Sequence, residues 1–137
     1  MTTLTSGTSN IAVGKGSLEL NTTGSSNSAL GHNSLKNNTT ADNNTAVGKS
    51  ALQQNTTGTN NVAVGTNAVD ANTTANYNTA VGSESMSSNT TGTENVSLGQ
   101  ISLRDNTTGS YNTALGQAAL RSNTTASINT AVGTDAL

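Results

Sequence analysis

The chain has no cysteine, phenylalanine or tryptophan, and only 9% of its 137 residues are charged. The absence of cysteine excludes disulfide bonds and thiolate metal sites. The five basic residues form no stripe, so we expect no nucleic-acid partner. The single histidine, His32, falls at a position where Lys15, Lys49 and Gln117 also occur, which is typical of a solvated side chain and not of a ligand or base.

No signal peptide or membrane span is evident. The segment Met1-Thr2-Thr3-Leu4-Thr5 lacks both a basic region and an apolar run, and the longest apolar runs in the chain are only a few residues. We therefore expect no membrane insertion. This pattern suits a virion component released by lysis, and it also suits a piece of a secreted adhesin that has lost its signal.

The chain does have an internal repeat of seventeen residues, without insertion or deletion. An array of this kind must stack its copies, because one short unit cannot bury a face alone. Residues 1–137 are therefore predicted to be a single repeat array with a partial first turn over 1–9. Each later turn begins at an asparagine, and these eight residues are Asn10, Asn27, Asn44, Asn61, Asn78, Asn95, Asn112 and Asn129.

Low hydrophobicity alone would indicate disorder, since Leu, Ile, Val and Phe supply only 22 of 137 residues. The fixed spacing of the apolar residues overrules that interpretation. Counting from the asparagine, the fourth position is always Val or Leu and the ninth is always a large apolar residue, as in Val47 and Leu52. We predict that these two columns form the core of a folded solenoid.

Glycine occupies the fifth position in every turn, whereas the fifteenth varies between Gly and Ala. Only the fifth position is predicted to require positive φ or a close backbone approach, because alanine would be strained there. The fifth-position glycines are Gly14, Gly31, Gly48, Gly65, Gly82, Gly99, Gly116 and Gly133.

The residues between the core columns exclude helix, because each turn is rich in Thr, Ser, Asn and Gly and has no apolar three-and-four spacing. Short strands are predicted at Thr45-Ala46-Val47 and Ser50-Ala51-Leu52, with a third at Asn55-Thr56-Thr57. The predicted fold is all-β, a parallel β-solenoid or β-roll of eight seventeen-residue turns. At ordinary strand spacing its length is about 40 Å.

Two further columns hold only Ala or Ser. If Val47 points inward, then Ala46 must point to the opposite face, because side chains alternate along a strand. Small residues at the third and eighth positions either suit tight turns or mark a second surface that packs against another chain. We favour the second interpretation, because two large apolar residues per turn give one chain little core.

The strings Asn44-Thr45-Ala46-Val47-Gly48 and Asn78-Thr79-Ala80-Val81-Gly82 resemble the head repeats of trimeric autotransporter adhesins and, more closely, repeats of bacteriophage tail fibres. The resemblance covers essentially the whole chain, although the adhesin repeat is shorter than seventeen residues. It implies a left-handed β-roll in which three identical chains associate along one axis. It also implies a place in a virion tail fibre or on a cell surface.

The two ends of the chain are in phase, because Met1 and Leu137 both fall at the ninth position and Leu4 falls at the twelfth. Neither end carries the polar cap that solenoids ordinarily need. The chain is then either part of a longer fibre or a subunit that stacks head to tail into a filament.

The Asn-Thr-Thr triplets allow three interpretations. Their asparagines are predicted to stack into an amide ladder, each triplet is also an Asn-x-Thr glycosylation acceptor, and a regular Thr row is a candidate ice-binding surface. Adjacent threonines such as Thr22 and Thr23 should point to opposite faces, which leaves one outward column where ice would need two. The asparagines are Asn21, Asn38, Asn55, Asn72, Asn89, Asn106 and Asn123.

No catalytic constellation is present, because the seven acids scatter over the turn and form no paired column, so only a site shared between chains stays open. We expect no enzyme and no cofactor. The predicted function is a fibre segment, most simply a tail-fibre shaft that spaces a receptor-binding tip. The alternative is an adhesive module that contacts a cell-surface glycan or receptor through Tyr77 and Tyr111, the only aromatic residues.

Overall fold

The computed structural model describes residues 5–137 and contains one parallel sheet of eight three-residue strands, which stand in chain order from β1 to β8. Met1 and Leu4 lie outside the described residues. The all-β parallel β-solenoid predicted from the sequence is confirmed. The strands are β1 Ile11–Val13, β2 Ser28–Leu30, β3 Thr45–Val47, β4 Val62–Val64, β5 Thr79–Val81, β6 Val96–Leu98, β7 Thr113–Leu115 and β8 Thr130–Val132.

Every strand pairs with the equivalent residues of the next turn. In the centre of the sheet Thr45 pairs with Val62, and Ala46 pairs with Ala63. The amide of Thr45 donates to the carbonyl of Asn61 at 2.9 Å, which belongs to the parallel ladder. The seventeen-residue repeat of the sequence therefore sets the register of the sheet, because each strand residue pairs with the residue seventeen positions later.

The other two predicted strands are wrong. Ser50-Ala51-Leu52 forms a turn, because Ser50 and Leu52 have φ values of 56° and 51°. Left-handed residues on either side of Ala51 curl the chain and prevent an extended strand. Asn55-Thr56-Thr57 is also irregular, yet its backbone still bonds along the rod, with the Thr56 amide donating to the Thr73 carbonyl at 2.9 Å.

The ninth column forms the core, as predicted, but the fourth does not. Leu52 is fully buried, whereas Val47 is only partly buried and lies on the opposite side of the strand from Ala46, which is fully buried. The assignment of Val47 inward and Ala46 outward was therefore wrong. The interior of a seventeen-residue turn is narrow, so it admits one large side chain per turn and places Ala opposite it.

The eighth column is also interior, and its prediction as part of a second surface was wrong. Ala51 and Ala68 are fully buried beside the leucine column. Interior serines find hydrogen-bond partners: the Ser85 hydroxyl donates to the Ser97 hydroxyl at 2.8 Å, and the Ser34 hydroxyl donates to the carbonyl of Gly31 at 3.1 Å. Small residues thus mark the inside of this solenoid and not a contact surface.

The predicted backbone requirement of the fifth-position glycines is confirmed, because all eight have φ between 123° and 142°. No fifteenth-position glycine has positive φ, although Gly58 also lies close to the next turn. Alanine nevertheless occupies the fifteenth position at Ala41 and Ala75. In both cases the fifteenth position of the next turn is a glycine, Gly58 or Gly92.

Candidate functional surfaces

The outward side of the sheet carries the first and third residues of each strand, which are the second and fourth positions of the turn, and we call it the sheet face. Strand alternation sends these side chains out because the central residue points in. The sheet face consists of Ile11, Val13, Ser28, Leu30, Thr45, Val47, Val62, Val64, Thr79, Val81, Val96, Leu98, Thr113, Leu115, Thr130 and Val132.

The sheet face is aliphatic and uncharged. Eleven of its sixteen residues are Val, Leu or Ile, and the other five are Ser or Thr. Large apolar side chains along it are substantially exposed, with Leu30 at 50% and Leu98 at 40%. The chain therefore places half of its Leu, Ile and Val residues on one outer strip and leaves a small interior.

The asparagines that begin each turn form one interior column. The side-chain oxygen of Asn44 accepts a hydrogen bond from the backbone amide of Asn61 at 2.9 Å, and the Asn44 amide group donates to the carbonyl of Gly58 at 2.9 Å. The same pattern recurs from Asn27 to Asn95, where each side chain is fully buried. These side chains tie each turn to the next and hold the turn closed.

The asparagines of the Asn-Thr-Thr triplets form a second interior column, with direct amide-to-amide bonds. Asn72 donates to the side-chain oxygen of Asn55 at 2.7 Å and to the carbonyl of Ala75 at 3.1 Å. Asn55 donates in turn to Gly58, whose carbonyl also accepts from Asn44. One carbonyl in each turn therefore joins the two amide columns, and the interior is filled by a continuous polar network.

Burial of these amides decides how the triplets can act. Asn55 is fully buried with its nitrogen engaged in hydrogen bonds, so the folded chain offers no acceptor nitrogen there for a sugar. Thr56 is partly buried and its hydroxyl donates to the Thr73 carbonyl at 3.0 Å, whereas Thr57 is exposed. Each triplet therefore contributes one fully exposed Thr column.

Tyr77 and Tyr111 lie on one corner of the rod, two turns apart, with Glu94 at the intervening position. Both rings are exposed, at 59% and 55%, and both residues have φ of 59°. A tyrosine in the left-handed region is uncommon, because the side chain crowds the backbone there. The corner thus presents two exposed aromatic rings roughly 10 Å apart at ordinary strand spacing.

Ionisable groups form isolated pairs on the described surface. The Lys36 ammonium lies 3.4 Å from the Glu19 carboxylate of the preceding turn, and Arg104 binds the adjacent Asp105. The hydrogen bond from Arg104 lowers the pKa of Asp105. Burial raises the pKa of Asp70, whose Oδ1 accepts no hydrogen bond from any described residue.

Within residues 5–137 there is no pocket and no group of three or more His, Asp or Glu residues that could hold a metal ion. His32 is exposed, as are its column neighbours Lys15 and Lys49. The described residues also include no helix suited to crossing a membrane.

The sheet face was missed by sequence reasoning, although one signal pointed to it. Ser97 is the only serine in the third column, and it falls where the eighth column carries Ser85 and Ser102 in two consecutive turns. In the structure these three hydroxyls bond to one another in the interior. Matching serines in the third and eighth columns indicate that these two columns face each other inside the turn. Because side chains alternate along a strand, the fourth column must then point outward.

Comparison with known proteins found no match to any protein-family model, curated protein or solved structure. Assignment of function therefore depends on the residues and geometry described above.

Proposed function

We propose that this chain is a structural segment of an extracellular fibre, of the type that forms a bacteriophage tail-fibre shaft and spaces a receptor-binding tip. The observation that carries this proposal is the unbroken bonding along the rod. Seven consecutive strand pairs keep the same register, and two interior amide columns repeat it through the turns. A stack bonded in this way has a length fixed by its number of turns.

Uniformity along the rod supports the same proposal. The seven turns between Asn10 and Ile128 all have seventeen residues, so no loop protrudes from them to form a separate site. Solenoids often place insertions on the face that binds a partner. Identical chains are the proposed partners, in a homotrimer of the kind that the resemblance implies.

Removal of two complete turns tests the spacer function. Deleting residues 61–94 joins Asn60 to Asn95 and restores the repeat without a mismatch. We expect the rod to shorten by about 10 Å in small-angle scattering while it remains folded. Insertion of a second copy of residues 61–94 is the matched control and should lengthen the rod by the same amount.

Location of the chain tests the rest of the proposal. An antibody against the purified protein, detected by gold labelling in electron microscopy, should decorate a fibre outside the virion or cell that carries the gene. Label confined to the cell interior would contradict the proposal, as would a rod whose length is unchanged by the two-turn deletion.

The corner of the rod that carries Tyr77 and Tyr111, which we call the Tyr corner, supports a second candidate function. This function is an adhesive module that binds a cell-surface glycan. Two exposed rings lie at the same position of the repeat, two turns apart, on the same corner of the rod. Aromatic rings stack on the apolar faces of sugars, and Glu94 between them would accept hydrogen bonds from hydroxyl groups.

A glycan array distinguishes the adhesive module from a passive shaft. Specific binding that is lost in Tyr111→Asn and kept in Ile128→Asn would favour the adhesive module. Both substitutions place Asn at equivalent left-handed positions, but only the first removes a ring. Absence of binding by the unmodified chain would leave the corner without a recognition role.

A further inference from the structure

We propose that the sheet face binds a second copy of this chain, with the two sheets packed face to face. This inference deepens the proposed fibre function and rests on it, because it identifies the surface through which the chains of one fibre associate. It makes the unit of the fibre a pair of chains, in place of the homotrimer that the resemblance implies. It also replaces the small-residue columns as the contact surface, because the structure places them inside.

Exposure of the sheet face is the first argument. Val13, Leu30 and Val81 are 53%, 50% and 40% exposed, and the residues between them in the same column, Val47 and Val64, are partly buried. A contiguous apolar strip of about 400 Å² matches the largest apolar patch on a typical monomer, and such patches are often functional. The interior, in contrast, is filled with alanine, asparagine and one large apolar residue per turn.

Charge is the second argument. The chain carries twelve Lys, Arg, Asp and Glu residues, five basic and seven acidic, and none of them lies among the sixteen residues of the sheet face. A partner recognised by charge would find no complement there. An equally uncharged aliphatic surface fits it, and the polar residues that are present, such as Thr45 and Thr79, are small enough to pack between aliphatic neighbours.

The regular repeat of the sheet face is the third argument, and it identifies the partner as a second copy of the chain. The sheet face repeats once per strand, at roughly 4.8 Å. A second copy has the same repeat by construction, so a contact made by one turn is made by every turn. A globular partner without this period would match the strip at only one or two turns.

Area is the fourth argument. Eight strands of three residues cover a strip roughly 40 Å long and 10 Å wide, or about 400 Å² before the protrusion of side chains is counted. Specific interfaces begin at about 600 Å² per partner. Protruding aliphatic side chains bring the sheet face close to that limit, so we expect association that strengthens with concentration and with added turns.

Sedimentation equilibrium of the 137-residue protein tests the proposal. The unmodified chain should show a mass of twice 13.6 kDa, whereas a mass of three times 13.6 kDa would favour the homotrimer and contradict a face-to-face pair. The double variant Val64→Lys/Val81→Lys should sediment as a 13.6 kDa monomer, because it places charge in the centre of the sheet face. The matched control Thr57→Lys/Thr74→Lys adds the same charge to a different exposed column and should keep the assembled mass.

Cross-linking guards against a variant that fails to fold. The chain has no native cysteine, so a single substitution gives a unique thiol. With a short bismaleimide, Val81→Cys should form covalent dimers in high yield and Thr74→Cys should not. Far-ultraviolet circular dichroism of each variant should match that of the unmodified chain.

A folded 13.6 kDa monomer at every concentration would overturn the proposal, as would an assembled mass that survives Val64→Lys/Val81→Lys. A monomer that produces thermal hysteresis, lost in the same variant, would assign the sheet face to ice. A monomeric mass together with gold label on an external fibre would overturn self-association and still support the proposed fibre function. Gold label inside the cell would contradict the proposed fibre function. Self-association through the sheet face would then still be tested by the sedimentation mass.

Discussion

A Cβ atom on Gly48 would stand 2.5 Å from the carbonyl oxygen of Gly65 and 2.7 Å from its carbonyl carbon. Consecutive turns therefore approach at this corner as closely as two backbones can. The contact explains why glycine fills the fifth position of every turn, and positive φ adds a second requirement at the same position.

We expect Gly48→Ala to lower the free energy of unfolding by about 3 kcal/mol or more, since it combines backbone strain with overpacking. Gly133→Ala is the matched control. Gly133 has a φ of 124°, close to the 130° of Gly48, but a Cβ there would meet nothing within 4 Å. Urea denaturation should show the larger loss for Gly48→Ala, and equal losses would contradict the close approach of the turns.

The buried amide column gives a prediction that depends on pH. In Asn72→Asp a carboxylate replaces the amide that donates to Asn55 and to Ala75, so two acceptors lose their donor and face a buried charge. We expect a loss of roughly 3 to 5 kcal/mol of unfolding free energy at pH 7.

Acidification should recover part of that loss. Burial and the facing oxygens raise the pKa of the new carboxyl in the folded state above its value in the unfolded chain. The folded variant then binds more protons than the unfolded chain, so its stability falls as pH rises through the raised pKa and is highest below about pH 4. Asn72→Ala, which cannot titrate, should show no such recovery. Thermal denaturation from pH 3 to pH 8 would distinguish them.

The period, the strand at Thr45–Val47 and the burial of Leu52 could be predicted from the sequence, because each depends on a repeated residue type. The inward side of that strand could not. Alternation fixes only that Ala46 and Val47 point to opposite sides, and hydrophobicity alone favours burial of Val47. The decisive factor is the narrow width of the turn, which follows from its closure and not from any one residue.

That closure depends on residues with left-handed backbone that are not glycine. Leu52 has φ of 51° and Val69 of 51°, and neither residue type indicates a turn. Stacking overrides their local preference, because each amide bonds to the next turn and each side chain fills the core. The sequence therefore indicated strands where the assembled rod has turns, and the sheet face was missed for the same reason.

Asp70 and Asp105 should give opposite pH dependences. Burial raises the pKa of Asp70 in the folded state, so its charge opposes folding and the unfolding free energy falls as pH rises through that pKa. Arg104 lowers the pKa of Asp105, so its contribution is present above the pKa of the unfolded chain and is lost on acidification.

We therefore expect Asp70→Asn to stabilise the protein at pH 7 and to have little effect near pH 3. Asp105→Asn should destabilise only slightly at pH 7, because its pair with Arg104 lies at the surface and is partly exposed. Thermal melts at the two pH values measure both variants. A gain for Asp70→Asn that is the same at pH 3 and pH 7 would contradict the titration of this carboxyl.

Burial of the triplet asparagines predicts how the chain behaves in a host that glycosylates Asn-x-Thr. The Asn55 and Asn72 side chains are fully buried, so a sugar on either nitrogen is incompatible with the fold. Protease-resistant protein secreted by such a host should carry no sugar at these two residues. Peptide mapping by mass spectrometry checks this, and a resistant fraction modified at Asn72 would contradict the interior position of the column.

The strained Tyr corner predicts stabilising substitutions. Tyr111 and Tyr77 both have φ of 59°, and the same position of the repeat is filled by Asn43 and Asn60 in other turns, with φ of 60° and 58°. Asparagine tolerates the left-handed region better than tyrosine does. We expect Tyr111→Asn and Tyr77→Asn each to raise the free energy of unfolding by about 1 kcal/mol.

The double variant separates backbone strain from side-chain contact between the rings. The two positions lie two turns apart, so strain relief at one should not alter the other, and the gains should add to about 2 kcal/mol. Tyr111→Val is the opposite control, because a β-branched residue is more strained at positive φ and should destabilise. Chemical denaturation of the four variants measures each increment. A double variant that gains no more than either single variant would show that the two rings contact each other, and a stabilising Tyr111→Val would remove backbone strain as the cause.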